Sequence, residues 1–204
     1  MLFSLVIGVP PCKRLAAQIK HSPFLSETGV ILEFFDFINC LTKFKEVTLC
    51  LSIDDIGQRL EYERFPTEWA VIEENLGKFM ELRNQHKNIF LTLCPTVSNF
   101  NVYFLNEYLE WSRPLNIFTY FNILHYDPAF SIKNLPNNLK TILNDKLADS
   151  EFIKIKNFLN LNQERPNMLK EFIDKTFEID QWRQQNFKEV FGDWGKLIEE
   201  SINE

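Results

Sequence analysis

Three side chains concentrate the chemistry this sequence could do. Ser52 and Asp54 lie in the turn Ser52-Ile53-Asp54-Asp55, and Arg64 closes Tyr62-Glu63-Arg64. The turn follows an almost wholly apolar run, residues 47–52, as expected of a parallel strand covered on both sides. Side chains alternate along a strand, so Thr48, Cys50, Ser52 and Asp54 share one direction and Val47, Leu49 and Leu51 the other. Ser52 and Asp54 then stand at the strand's carboxyl end, where parallel α/β folds bind ligands. Arg64 supplies a planar fork that can grip a carboxylate or paired oxygens. Plainer roles fit the same residues: Asp and Ser are common turn formers, and Arg64 suits an ion pair with Glu61 or Glu63.

Other chemistries find less support. Cys12, Cys40, Cys50 and Cys94 form no Cys-x-x-Cys pair, and no His stands at a short ligand spacing from them. Cys50 and Cys94 fall in apolar runs, where Cys acts as a small hydrophobe, and reduced thiols in a cytoplasmic protein fit best. His21, His86 and His125 are scattered; His125-Tyr126-Asp127, at a strand end, is the one spot where acid–base chemistry is conceivable. Net charge is −6 and no basic run exceeds Lys13-Arg14, which argues against nucleic acid as a partner. Residues 2–9 are apolar but lack a preceding basic residue and are too short to span a bilayer, so a buried strand is expected and no membrane anchor.

The elements that must position these residues follow from periodicity. Residues 30–41 read as a helix with Ile31, Phe34, Phe35 and Ile38 on one face. Thr67, as N-cap, opens a helix through Trp69, Ile72, Leu76, Phe79 and Met80. Residues 88–94 and 116–124 read as further strands, with a helix over 101–112 between them. Strands alternating with helices imply crossovers and a parallel sheet. Beyond Pro136 the pattern is helical: 137–149, 151–161, 167–177, then a pair over 180–191 and 194–202 joined by Gly192 as C-cap. The expected organisation is an unassigned segment 1–29, an α/β part 30–127 and a helical extension 128–204.

The ordered run Ser52-Ile53-Asp54-Asp55, Tyr62-Glu63-Arg64, Trp69 and Glu74-Asn75 resembles radical S-adenosylmethionine (SAM) enzymes, in which Ser-Ile-Asp-Gly precedes Tyr-x-Arg. Asp55 stands where that family usually has Gly. Residues 97–111, with Asn99, Leu105, Leu109 and Trp111, resemble the next family unit. Residues 126–140 and the tail 179–191, with Asp180, Arg183, Asn186-Phe187 and Phe191, resemble the subgroup that carries a twitch domain, a relative of the SPASM extension. Gly192 replaces the Pro customary after that last Phe.

The resemblance implies a fold and a chemistry. The fold is α/β, a partial (β/α) barrel with parallel strands followed by a mostly helical C-terminal extension. Ser52 and Arg64 would contact SAM, and Asp54 would shape the turn. In such enzymes a [4Fe–4S] cluster reduces SAM and a 5′-deoxyadenosyl radical takes a hydrogen atom from a small-molecule or peptide substrate. The family's Cys-x3-Cys-x2-Cys motif is absent from this sequence. The expectation is therefore the C-terminal portion of a twitch-type enzyme, inactive as this isolated chain, with an N-terminal cluster-bearing chain or self-association as partner. Three strands make only half a barrel, which leaves an unpaired edge and uncovers residues such as Phe90 and Tyr120. The other reading is a non-catalytic α/β interaction module or partner subunit whose aromatic tail (Trp182, Phe187, Phe191, Trp194) docks a partner.

Overall fold

The computed structural model describes residues 3–8, 15–19, 41–161 and 167–201. Its strands are β1 (Phe3–Gly8), β2 (Leu15–Ile19), β3 (Glu46–Leu51), β4 (Ile89–Leu93), β5 (Thr96–Val97), β6 (Phe118–Thr119) and β7 (Asn122–Ile123). The α-helices are α1 (Gly57–Glu63), α2 (Trp69–Gln85), α3 (Leu105–Ser112), α4 (Asn137–Lys146), α5 (Ile153–Leu159), α6 (Met168–Arg183) and α7 (Phe187–Glu200). The protein is α/β with parallel strands. The expected helix over 30–41 falls almost wholly outside the described residues. The chain divides into two units: Met1–Ile53, Thr67–Pro95 and Asn116–Tyr120 form the first, and Asp54–Pro66, Thr96–Leu115 and Phe121–Glu204 the second.

In the first unit the sheet order is β2-β1-β3-β4-β6. β3, β4 and β6 run parallel, while β1 is antiparallel to both β2 and β3, so the sheet is mixed. Val47, Leu49 and Leu51 of β3 and Ile89, Leu91 and Leu93 of β4 are buried, as are Ile72, Leu76, Phe79 and Leu82 of α2. The opposite face corrects the expectation of strands covered on both sides. Thr48, Cys50 and Thr92 are only half-buried there, and Phe90, Phe118 and Tyr120 are 49%, 71% and 50% exposed. Helix α2 starts at Trp69 with Glu68 in the cap position and no side-chain cap, so Thr67 is not the N-cap.

The apolar run 116–124 is not one strand. β6 pairs with β4, whereas β7 pairs with β5 in a separate two-stranded parallel sheet. The partner strand breaks in step: Cys94 and Pro95 separate β4 from β5, and proline has no N–H to give a ladder.

In the second unit, Phe152, Phe172, Phe191 and Trp194 are fully buried beside Ile132, Leu143 and Leu159. Helix α6 corrects a boundary. It runs on through Asp180 to Arg183 and stops at Gln184, a left-handed residue (φ 55°). The next helix begins only after Asn186, whose Oδ1 accepts the N–H groups of Lys188 (3.0 Å) and Glu189 (3.3 Å). Gly192 breaks α7 at φ 52°, ψ −120°, a conformation that only glycine adopts without strain. Beyond the break Gly195 lies so near that a Cβ would stand 2.9 Å from Lys188 Cα, and Lys188 Nζ reaches Glu199 at 2.5 Å.

Candidate functional site

Asp54 opens the second unit, immediately after the apolar strand and the buried Ile53. Its carboxylate is 4% exposed and fully engaged. Oδ1 accepts the Thr96 N–H at 2.7 Å. Oδ2 accepts the Arg64 Nε–H at 2.5 Å and contacts Nη2 of the same guanidinium. Arg64 stands where α1 ends, its N–H bonded to the Leu60 carbonyl. Asn101 ties the loop together: Nδ2 donates to the carbonyls of Thr96 (2.9 Å) and Asp54 (3.1 Å) and to Glu63 Oε2 (3.3 Å). Its Oδ1 accepts the Ser98 N–H at 3.0 Å.

Of the residues singled out by sequence, the structure therefore joins Asp54 and Arg64. Arg64 pairs with Asp54, ten residues back, and its charge also acts on Glu63. Its side chain remains 31% exposed, so the guanidinium is oriented from within and still reachable. Ser52, half-buried just past β3, belongs to the first unit.

A second carboxylate, Asp55, starts α1. Its Oδ1 accepts the Ile56 N–H (2.8 Å) and its Oδ2 the Arg59 Nε–H (2.9 Å). Arg59 also reaches Glu107 (3.0 Å) and lies 3.9 Å above the Phe104 ring. Burial pushes the Asp55 carboxyl up to about 6, against the pull of Arg59. Glu63 is raised well above the ordinary carboxyl range by burial and by the neighbouring Asp55 and Asp54 charges. Its Oε1 is buried without a hydrogen-bond partner. The arrangement holds two arginines against two carboxylates, with Glu63 beside them, its carboxyl pushed towards the neutral form.

The tail motif meets this site through Tyr62. Tyr62 OH donates to Asp180 Oδ1 at 2.8 Å, and Arg183 Nη1 donates to the Tyr62 carbonyl at 2.8 Å. Asp180 Oδ2 accepts the Phe187 N–H at 2.8 Å, linking the end of α6 to the start of α7. Phe191 lies edge-on to Tyr62 at 5.3 Å. Burial, then the Asp180 charge, pushes the Tyr62 hydroxyl far up, so it stays protonated as a donor. Phe187, Phe191 and Trp194 are core residues, with Trp194 Nε1 donating to the Asn99 carbonyl at 2.7 Å. Of the tail aromatics expected at a docking surface, Trp182 is the exposed one, at 76%.

His125-Tyr126-Asp127 assembles no acid–base site. The His125 ring packs on Phe158 (4.6 Å), Tyr126 is 96% exposed, and Asp127 caps a short helical turn through the Ala129 N–H. Thr96 and Asn101 are not legible in the sequence, since a single Thr or Asn carries no spacing signal.

No group of three or more His, Cys, Asp or Glu among the described residues could hold a metal ion. Cys50 and Cys94 are half-buried, and burial together with Cys50 pushes the Cys94 thiol up to about 12. Cys12 and Cys40 lie outside the described residues. Among the described residues no helix is long and apolar enough to cross a membrane. No protein-family model, curated protein or solved structure matches this chain.

Proposed function

We propose that this chain is the C-terminal portion of a twitch-type radical SAM enzyme, a cytoplasmic protein whose parallel strands β3, β4 and β6 form part of a (β/α) barrel. One observation carries the reading. The two motifs on which the resemblance rests, Tyr62-Glu63-Arg64 and the tail with Asp180, Arg183, Phe187 and Phe191, lie about 120 residues apart, yet they bond to each other through Tyr62.

In this reading Arg64 holds SAM, and Asp54 holds Arg64. SAM carries an α-carboxylate and ribose hydroxyls, and a guanidinium fixed on one side by a buried carboxylate is preorganised to grip such oxygens. SAM supplies the radical precursor in the intact family. No radical step is assigned to the described residues, and the partner is an N-terminal cluster-bearing chain or a second copy of this one. The substrate is a small molecule or a peptide. The test is SAM binding by the purified chain and by Arg64→Ala: saturable binding that the substitution abolishes supports the reading, and absence of binding opposes it.

A second reading, a non-catalytic interaction module, is favoured by one surface feature. Phe65 (43% exposed) and Trp182 (76% exposed) stack edge to face at 6.2 Å, with the Arg183 guanidinium 5.0 Å above Phe65. Exposed aromatics beside an arginine are common anchors of protein interfaces. Loss of partner capture in Trp182→Ala, with SAM binding absent throughout, selects this reading.

A further inference from the structure

The half-exposed face of the first unit's sheet carries two thiols side by side. Cys50 sits on β3 opposite Thr92 of β4. Cys94 lies one residue beyond β4, and its N–H continues the ladder to the Leu51 carbonyl at 2.8 Å. Strand alternation puts Cys94 on the face that Thr92 and Cys50 share. The two residues thus stand diagonally across adjacent strands on one face, and Cys94 Sγ lies 3.9 Å from the Thr92 carbonyl. Both residues are reduced and half-buried. Cys94 precedes Pro95 in a stretch without regular structure, so its sulfur can shift without dismantling a strand.

We propose that Cys50 and Cys94 form a vicinal dithiol that closes reversibly into an intramolecular disulfide by exchange with a small disulfide of the oxidised-glutathione class. The Cys50 thiolate attacks one sulfur of the small disulfide, whose S–S bond breaks. One small thiolate leaves, and a mixed disulfide remains on Cys50. Cys94 loses its proton as it attacks the Cys50 sulfur, and the second small thiolate leaves. In balance, two protein thiols give up two electrons and two protons, and one small disulfide becomes two small thiols. Burial and the neighbouring Cys50 push the Cys94 thiol up, which favours Cys50 as the first to react and Cys94 as the resolving thiol. This inference does not depend on the proposed function.

The experiment uses the full chain with Cys12→Ser and Cys40→Ser, treated with oxidised glutathione, alkylated and mapped by mass spectrometry. The expected product joins the Cys50 and Cys94 peptides, is lighter than the parent by two hydrogen atoms, and reverts with dithiothreitol. Adding Cys94→Ser is expected to trap a glutathione adduct on Cys50. A glutathione adduct that persists on Cys50 while Cys94 is present would overturn the proposal. So would full alkylation of both thiols after treatment, or bridging that proceeds equally fast in urea, where the fold no longer pairs the sulfurs. The wild-type chain, mapped at all four cysteines, gives the same readout should the double variant not fold.

Discussion

Replacing Tyr62 with Phe removes one oxygen atom from the best-connected point of the second unit. Tyr62 is 1% exposed, and its hydroxyl donates to Asp180 Oδ1 at 2.8 Å. The ring stays in place, so its edge contacts with Phe100 (5.7 Å) and Phe191 (5.3 Å) survive. What is lost is a hydrogen bond to a charged acceptor, worth about 2 kcal/mol, because Asp180 Oδ1 then stands half-buried without its donor. For a chain of this size that loss lowers the melting temperature by about 4–8 °C. Asp180→Asn weakens the same bond and the one from the Phe187 N–H. The double variant is therefore expected to lose less than the sum of the two single losses, with a coupling of about 1 kcal/mol or more. Urea and thermal unfolding of the four proteins measure this. A Tyr62→Phe cost under about 0.5 kcal/mol, or strict additivity, would refute the bond on which the convergence of the two motifs rests.

Two further outcomes follow from burial. Asp55 has a carboxyl at about 6 in the folded chain against 3.8 unperturbed, so between those values the native state binds more protons than the unfolded one. Its contribution to stability is greatest below about pH 4, falls as pH rises towards 6 and stays low above that, a change on the order of 1–3 kcal/mol. Urea midpoints of wild type and Asp55→Asn across this range are expected to show the decline flattened in the variant, with Glu63 sustaining a residual slope of the same sign. The exposed Phe90, Phe118 and Tyr120 on one sheet face predict self-association of the isolated chain or dependence on an N-terminal partner. Light scattering is expected to show a mass above the monomer that falls with Phe90→Lys and Phe118→Lys. A monodisperse wild-type monomer that melts cooperatively contradicts this.

Much of the frame was legible because it rests on apolar periodicity. β3, β4 and α2 follow from runs such as Val47, Leu49, Leu51 and Ile72, Leu76, Phe79. The half-open sheet face was anticipated through Phe90 and Tyr120. Boundaries set by single polar residues were not legible. Asn186 caps α7, and its Nδ2 also donates to Glu189 Oε1 at 3.1 Å. That signal lay in the sequence but was overlooked beside the apolar stripe, so a helix was started at Asp180 instead. α1 went unseen because seven residues bury only Leu60 and Tyr62. At the site, Asp54 and Arg64 were picked out individually, but their pairing depends on where Thr96 and Asn101 bring the loops, which no local pattern encodes.

The central claim is that Arg64, held by Asp54, belongs to a SAM site. Calorimetric titration of the purified chain with SAM, beside Arg64→Ala and Asp54→Asn, tests it most directly. The account predicts saturable heat for the wild type, none for Arg64→Ala, and weakened binding for Asp54→Asn, in which the guanidinium loses its charged anchor. No heat at millimolar SAM, or equal binding by all three proteins, would contradict it.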